Sequence, residues 1–339
     1  MAKKEKEKLP IGKRIFKIVR RILILLIFLI FVGIIYGEHQ LVKYAIGPDT
    51  KSKTRDIEPS TKAVNVSMTT DVENSTGNAW SNTNKYDEVS VKGGDDSTLS
   101  GHFYSSFSKN KKYVILCHPY KEDMSYMYSY AKHYASQGYG VLLIDLRAHG
   151  ESDGKYVGMG YLDKDDLQAW VNMLYYKEPD AQIVIHGVGM GAATALMAAN
   201  DGFKVSNVKC IIADSSYTDA MSIMKLEMEK RFDKIPLHPT IDVASYVAKF
   251  EAGYTLEEAS PLKNMDSCRV PVLFIHGLED SFVPAAMTEE LYDKATCDKE
   301  LFEVEGAEHL KAKDINPEAY FDKIYNFADK YILQVTMDK

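Results

Sequence analysis

Apolar and polar positions form a regular succession of short and long blocks from about residue 113 onward. Short, continuous apolar runs of strand length are each followed by a longer stretch whose apolar residues have helical spacing. The runs predict strands at 113–118, 141–147, 183–187, 208–215, 272–277 and 301–306. The longer stretches predict helices at 121–136, 162–176, 190–200, 285–294 and 317–333. Strands that are apolar throughout and are joined by helices are typical of a parallel sheet with helices on both faces.

Two further segments complete the predicted globular domain, which we place at 86–335. Before the first buried strand, the chain alternates in polarity on both sides of Gly93-Gly94-Asp95-Asp96, a pattern that predicts a β-hairpin. After the strand at 208–215, residues 218–263 interrupt the alternation with two or three helices. We expect this insertion to form a helical cap over the carboxyl ends of the strands.

The N-terminal region has a different pattern. Residues 22–36 are an unbroken apolar run, and with the apolar positions of 15–19 they give about 20 residues, enough for a helix to span a bilayer. We therefore predict a transmembrane anchor at 15–37, followed by a polar stalk at 38–85 with room for one helix around Trp80. A cleaved signal peptide is the alternative, although the residues after the run offer no convincing small-x-small cleavage site.

Charge is distributed unevenly along the chain. Residues 1–21 hold nine Lys or Arg against two Glu, a basic segment of net charge +7. Because basic residues concentrate on the cytoplasmic side of membrane helices, we predict a single-pass protein with a cytoplasmic N-terminus and an extracytoplasmic globular domain in the cell membrane. The whole chain of 339 residues carries −7, so the remainder carries −14. This acidic body argues against nucleic acid as a partner.

The four cysteines and nine histidines show no spacing typical of a metal site, and we predict neither a metal nor a cofactor. Cys117 and Cys210 lie at the ends of apolar runs and are expected to be buried thiols. Cys268 and Cys297 each precede a predicted strand. If those strands are parallel neighbours, a disulfide between the two cysteines is an alternative to two free thiols in an extracytoplasmic domain.

Residues 183–194, IVIHGVGMGAAT, combine a strand, a turn bracketed by glycines and an Ala-rich helix. A strand–turn–helix with the pattern G-x-S-x-G exposes a nucleophilic serine above the edge of a sheet. Here the five positions are Gly187, Val188, Gly189, Met190 and Gly191. The nucleophile position is therefore occupied by Gly189, which has no side chain.

Two residues further along the chain have the types and the order that a hydrolytic triad requires, namely nucleophile, acid and histidine. Asp280 comes three residues after the predicted strand that ends at Gly277, and His309 follows the last strand. The carboxylate can hold the histidine, and the histidine can act as a base. The alternatives are a loop aspartate that caps the helix beginning near Pro284 and a solvated loop histidine.

A site for acyl transfer also needs two N–H donors that stabilise the developing oxyanion. The first predicted donor is the backbone N–H of Met190, at a helix N-terminus where the helix dipole favours an anion. The second comes from the loop after the strand at 113–118, which reads His118-Pro119-Tyr120. Because proline has no N–H, Tyr120 is the predicted donor.

Five motifs together resemble the α/β-hydrolase family, in its S33 serine-aminopeptidase-like or acyl-esterase-like branch: HPYKEDM, IDLRAHGESDG, HGVGMGAAT, IHGLEDSFVP and GAEHLK. The resemblance extends over about 86–333 and implies an α/β-hydrolase fold, with a mostly parallel sheet, helices on both faces and a helical cap insertion. It also implies a serine hydrolase site for a small-molecule ester or amide, or for a peptide, bound under the cap. Relatives carry a serine at the position of Gly189, and this chain departs from them there.

Three functions are open from the sequence. We expect a membrane-anchored protein of serine hydrolase type, esterase-like or peptidase-like, whose catalysis is impaired by Gly189; it is a candidate pseudoenzyme. One alternative is a non-enzymatic ligand-binding or interaction module on the same fold. The other is an active hydrolase that uses a different nucleophile, with Ser215 and Ser216 as the nearest candidates, or a water activated by His309.

Overall fold

The computed structural model describes residues 10–47, 64–106, 111–231 and 234–333. Its centre is a single eight-stranded sheet with the strand order β1-β2-β4-β3-β5-β6-β7-β8. The strands are β1 (Asp87–Lys92), β2 (Thr98–Tyr104), β3 (Lys112–Cys117), β4 (Gly140–Ile144), β5 (Gln182–Val188), β6 (Val208–Asp214), β7 (Val272–Gly277) and β8 (Lys299–Val304). The first two strands form the predicted antiparallel hairpin, and β2 also pairs antiparallel with β4. The strands from β3 to β8 pair in parallel, as their continuous apolar sequences predict.

Helices cover both faces of the sheet, which explains why its central strands are buried on both sides. Buried side chains of α3 (Tyr128–Ser136) and α10 (Pro317–Ala328) form the core on one face. Those of α4 (Asp163–Lys177), α5 (Met190–Asp201) and α8 (Ala285–Lys294) form the core on the other. A short helix, α9 (Ala312–Ile315), precedes α10. The fold is therefore the α/β-hydrolase fold that the motifs predict.

The predicted cap contains two helices, α6 (Ala220–Arg231) and α7 (Leu237–Ala252), which follow β6. Side chains from both helices lie above the turn between β5 and α5, at the carboxyl edge of the sheet. The cap therefore forms one wall of the cavity described below.

Helix α1 (Ile11–Ile46) contains the predicted anchor at 15–37 and is long and apolar enough to cross a membrane. The large apolar side chains from Ile15 to Tyr36 are 39–67% exposed, so this part of the helix has no protein neighbours that bury it. The helix does not end where the apolar run ends. It continues to Ile46, and its last turns pack against α7, with Glu38, Val42 and Ile46 buried.

The predicted polar stalk at 38–85 differs from what is observed. Its first residues belong to α1, and residues 64–83 form α2 (Val64–Thr83), which packs along α3. Glu73 accepts a hydrogen bond from Nε2 of His133 (2.8 Å), and the Trp80 ring lies 4.7 Å from that of Tyr104. Polar and aromatic contacts hold this segment against the domain. The helix around Trp80 that the sequence allows is present as α2, but the segment does not form a separate stalk. Residues 48–63 of the predicted stalk and 1–9 of the basic segment lie outside the described residues.

Candidate active site

Gly189 occupies the turn between β5 and α5 with φ 56° and ψ −115°. A positive φ of this kind is unfavourable for residues with a Cβ and is free for glycine. The flanking glycines are needed for a different reason, namely close packing. A Cβ on Gly187 would lie 2.2 Å from the carbonyl oxygen of Gly191, and a Cβ on Gly191 would lie 2.2 Å from that of Cys117. The sequence thus builds a tight turn whose central residue points into the space above the sheet.

The space around Gly189 can hold a small side chain. A Cβ at this position would lie 3.3 Å from Cβ of Pro119 and 3.4 Å from Cδ2 of Leu310. Both distances are short but are relieved by shifts of a few tenths of an ångström. Packing therefore does not require glycine here, and a serine would carry mainly the backbone strain of the turn.

Asp280 and His309, the two predicted triad partners, are in direct contact. Nδ1 of His309 donates to Oδ2 of Asp280 at 2.7 Å. The other carboxylate oxygen, Oδ1, accepts the backbone N–H groups of Phe282 (2.9 Å) and Val283 (2.8 Å). Burial by itself raises the pKa of the Asp280 carboxyl, but hydrogen bonds from two histidines, His276 and His309, outweigh it and lower the pKa to about 2. The carboxylate is thus ionised and fixed at the Nδ1 edge of the His309 ring.

His276 is a second histidine beside the same carboxylate, and the sequence predicts only a structural hydrogen-bonding role for it. Its Nε2 lies 3.2 Å from Oδ2 of Asp280 and donates to the carbonyl of Val283 at 2.8 Å. Its Nδ1 bonds the hydroxyl of Thr288 (2.6 Å), which itself donates to Ser216 O. Burial lowers the pKa of His276, but Asp280 outweighs this effect and raises it. His276 therefore stabilises the negative charge of Asp280.

The two predicted oxyanion donors lie on either side of Gly189. Met190 is the first residue of α5, where backbone N–H groups have no acceptor within the helix. Tyr120 lies in the turn that follows β3, directly after Pro119. Both residues line the same cavity as Gly189 and His309. The backbone groups are thus placed at the carboxyl edge of the sheet, and their role as donors stays a prediction.

A cavity of about 1010 Å³ opens above these residues. Its floor is formed by Gly189, Met190 and His309, and the cap contributes Met224, Ile241 and Ala244. A third wall comes from an unexpected source, the last turns of α1, including Leu41, Val42 and Ala45. The inner walls are largely apolar, which is typical of sites that bind small organic ligands. Among the described residues, no group of acidic, histidine and cysteine side chains is arranged to hold a metal ion.

Ser215 and Ser216, the alternative nucleophiles, are buried and do not line this cavity. The hydroxyl of Ser215 donates to Oδ1 of Asp214 at 2.8 Å, and that of Ser216 donates to the carbonyl of Tyr217 at 3.2 Å. Each hydroxyl is thus engaged in holding the end of β6. Neither serine is placed to attack a ligand above Gly189.

Three other histidines are buried structural groups. Nε2 of His118 accepts the N–H of Leu146 at 3.0 Å, and Nε2 of His149 accepts that of Lys121 at 3.0 Å. Burial is the main cause that lowers the pKa of His118 to about 3, of His149 to about 4 and of His186 to about 3. These side chains are therefore neutral near pH 7. The four cysteines are free thiols, and Cys268 and Cys297 are not bridged in the structure.

Comparison with known proteins agrees with this geometry. Residues 108–218 match the family described as serine aminopeptidase, S33. The uncharacterized protein YqkD of Bacillus subtilis (strain 168) is 33% identical over 223 residues, which are 64% of this chain and 70% of YqkD. The esterase Pf2001 of Pyrococcus furiosus superposes with a TM-score of 0.60 at 25% identity, over 74% of this chain and 94% of that chain.

A more distant structure, the α/β hydrolase GrgF from Penicillium sp. sh18, shares the fold with a TM-score of 0.56 at 18% identity, over 73% of this chain and 99% of GrgF. The chain belongs to the α/β-hydrolase family, in its S33 serine-aminopeptidase-like branch. It is an α/β hydrolase of esterase or S33 peptidase type, with an N-terminal helix suited to a membrane.

Proposed function

We propose that this protein binds a carboxylic ester or amide in its cavity and does not form an acyl-enzyme, because position 189 has no attacking oxygen. The observation that carries the proposal is the hydrogen bond between His309 and Asp280 on the floor of a large cavity, next to a turn of elbow geometry that carries glycine. A base, its carboxylate and candidate oxyanion donors surround a position from which only the nucleophile is missing.

Glycine at position 189 removes the covalent route of a serine hydrolase. In a serine hydrolase the hydroxyl oxygen attacks the carbonyl carbon while the histidine takes its proton, and the histidine then protonates the leaving group. Without the hydroxyl there is no covalent intermediate. In the serine proteases where this has been measured, removal of one triad member leaves about 10³–10⁴-fold acceleration over water, supplied by the oxyanion hole and by binding.

A second candidate function is direct hydrolysis by a water activated by His309. Gly189 and His309 line the same cavity, and position 189 fills none of it with a side chain. The water oxygen would attack the carbonyl carbon, His309 would take the proton, and the same proton would pass to the leaving group. This route passes through no acyl-enzyme.

Turnover of p-nitrophenyl butyrate by the full chain in detergent tests both functions. Gly189→Ser supplies the nucleophile, and Gly189→Ala is its matched control, with the same Cβ and no oxygen. If only Gly189→Ser hydrolyses the ester, at about 10³-fold or more above Gly189→Ala, the impaired-site proposal is supported. If the wild type hydrolyses it and both Gly189→Ala and His309→Ala stop the reaction, the water route replaces it. If the wild type and all variants are inactive, the result favours a binding module whose Asp280, His309 and backbone donors are not arranged for hydrolysis.

The membrane arrangement is part of the same proposal. The apolar helix anchors the chain in the cell membrane as a single pass, with the basic segment in the cytoplasm and the α/β-hydrolase domain outside. The packing of the last turns of α1 against α7 supports a retained helix over a cleaved signal peptide, since these turns form part of the cavity wall. Protease added to intact cells should degrade the domain. Protection of the domain until the membrane is permeabilised would reverse the orientation.

A further inference from the structure

The cavity above Gly189 shares a wall with the helix that crosses the membrane. Leu41, Val42, Ala45 and Ile46, in the last turns of α1, line the cavity together with the cap and the catalytic floor. The same helix is exposed on all sides over its apolar part, which ends at Tyr36. Leu41 is five residues beyond Tyr36, about 1.4 turns or 7.5 Å along the helix axis. The cavity therefore lies next to the surface of the bilayer that α1 enters.

Three contacts fix this end of the helix to the domain. The backbone N–H of Val157 donates to the carbonyl of Ile46 at 2.8 Å. The hydroxyl of Tyr120 donates to the carbonyl of Ala45, and Nδ1 of His39 contacts Glu251 of α7. Tyr120 is also the predicted oxyanion donor. The helix end, the cap and the floor of the cavity are thus joined by hydrogen bonds as well as by apolar packing.

The cap presents exposed aromatic side chains on α7, the helix that packs against the end of α1. Tyr246 and Phe250, one turn apart on α7, are 74% and 92% exposed. Aromatic residues are enriched where proteins meet the membrane interface. Phe250 directly precedes Glu251, the residue that contacts His39 of α1. The packing of α7 against the end of α1 holds the helix, and the exposed face that carries Tyr246 and Phe250 is suited to the headgroup region.

We propose that the cavity takes the acyl chain of a membrane lipid, which enters from the leaflet on the side of the α/β-hydrolase domain. This inference rests on the proposed function, because it places the ester carbonyl of the lipid above Gly189. A lipid ester combines a chain that matches the apolar walls with a carbonyl that matches the floor. Charged side chains such as Glu227 and Arg231 also line the cavity. Against its apolar side chains, among them Val42, Met224 and Ile241, a peptide would have to leave backbone N–H and C=O groups, which is costly.

The test uses the full chain in nanodiscs of phosphatidylglycerol and phosphatidylethanolamine that contain a small fraction of phosphatidylglycerol with a diazirine at the end of one acyl chain. After irradiation, peptide mass spectrometry locates the adducts. We expect adducts on the cavity walls, in 41–47, α6 and α7, in addition to those on the lipid-facing surface of α1. Adducts confined to 15–36 overturn the proposal.

A variant separates occupancy of the cavity from contact with the bilayer. Ala244→Trp fills the cavity and should lower the cavity adducts at least five-fold while adducts on 22–36 are unchanged. Ala286→Trp, at an exposed position of α8 outside the cavity, is the matched control and should change neither. Equal cavity labelling in Ala244→Trp and the wild type contradicts the proposal.

Two water-soluble probes identify the source of the ligand. A diazirine-bearing hexanoate and a diazirine-bearing peptide are each offered from solution to the protein in unlabelled nanodiscs. If either soluble probe labels the cavity and the lipid probe does not, the cavity loads from water and the proposal fails. Turnover of p-nitrophenyl butyrate by Gly189→Ser is measured on the same preparation. Activity of Gly189→Ser without lipid labelling of the cavity refutes only the lipid inference. Lipid labelling of the cavity without activity of Gly189→Ser refutes only the proposal that the site is arranged for ester hydrolysis.

Discussion

Nδ1 of His309 donates a 2.7 Å hydrogen bond to Oδ2 of Asp280, although residue 189, which would complete a triad with them, carries no side chain. The arrangement of the acid and the base thus does not depend on the nucleophile. Their positions are set by the loops after β7 and β8, and by the N–H groups of Phe282 and Val283. Gly189 can therefore be changed without moving them.

We expect Gly189→Ser to lose stability while it gains activity. A residue with a Cβ at φ 56° carries strain of about 1–3 kcal/mol, and glycine at that position does not. Chemical denaturation of the full chain in detergent should show this loss for both Gly189→Ser and Gly189→Ala. Gly94→Ala, where a Cβ meets nothing within 4 Å, is the control and should change stability far less. Equal stability of Gly189→Ala and the wild type would show that the turn is not strained.

In the Gly189→Ser background, Asp280→Asn should reduce turnover by about 10³–10⁴-fold. The amide cannot stabilise the imidazolium that forms when His309 takes a proton. Steady-state kinetics with p-nitrophenyl butyrate measures the effect, which should fall on kcat more than on KM. A loss below ten-fold would assign Asp280 to a structural role in its loop.

The low pKa of Asp280 makes stability depend on pH in a defined window. The carboxyl has a pKa of about 2 in the folded chain and near 3.9 in the unfolded chain, so ionised Asp280 stabilises the fold above pH 4. This contribution, about 2.6 kcal/mol, is lost as the pH falls toward 2, with roughly half gone by pH 3. The stability difference between wild type and Asp280→Asn should therefore shrink between pH 5 and pH 3. A difference that is constant over this range would contradict the assignment.

Arg147 and Asp166 form a buried bidentate ion pair. Nε and Nη2 of Arg147 donate to Oδ2 and Oδ1 of Asp166, respectively, both at 2.7 Å. Removal of one partner leaves an uncompensated buried charge, so Arg147→Ala should lower the free energy of unfolding by about 3–5 kcal/mol. Lys164→Ala breaks the pair with the half-exposed Asp201 and is the control, expected to cost about 1 kcal/mol or less. Equal effects of the two substitutions would indicate that burial of the Arg147 pair contributes nothing.

The sequence predicts the sheet well because each strand is marked by its own continuous run of apolar residues. The strand 272–277 and the helix 285–294 are observed with the predicted bounds as β7 and α8. The apolar run is buried from both faces of the sheet, and the helical stripe is buried from one side. The contact between Asp280 and His309 follows from chain order. Both residues lie just beyond the carboxyl ends of adjacent parallel strands.

Two features could not be read from the pattern. The packing of the polar segment around Glu73 is not visible in the sequence, because α2 is held mainly by hydrogen bonds and ion pairs and by a single large ring, Trp80. These contacts leave no apolar stripe. The sequence does not predict that α1 forms a wall of the cavity, because the apolar run at 22–36 dominates the pattern of the N-terminal region. The only trace of the packed end is the spacing of Glu38, Val42 and Ile46, four residues apart on one face of the helix.

The most direct test of the account is the intact mass of the full chain after incubation with a fluorophosphonate, which forms a covalent adduct only with an activated nucleophile. We predict no adduct on the wild-type chain and one adduct on Gly189→Ser, located at residue 189. An adduct on the wild-type chain, at Ser215 or any other serine, would contradict the claim that the attacking oxygen is what this site lacks.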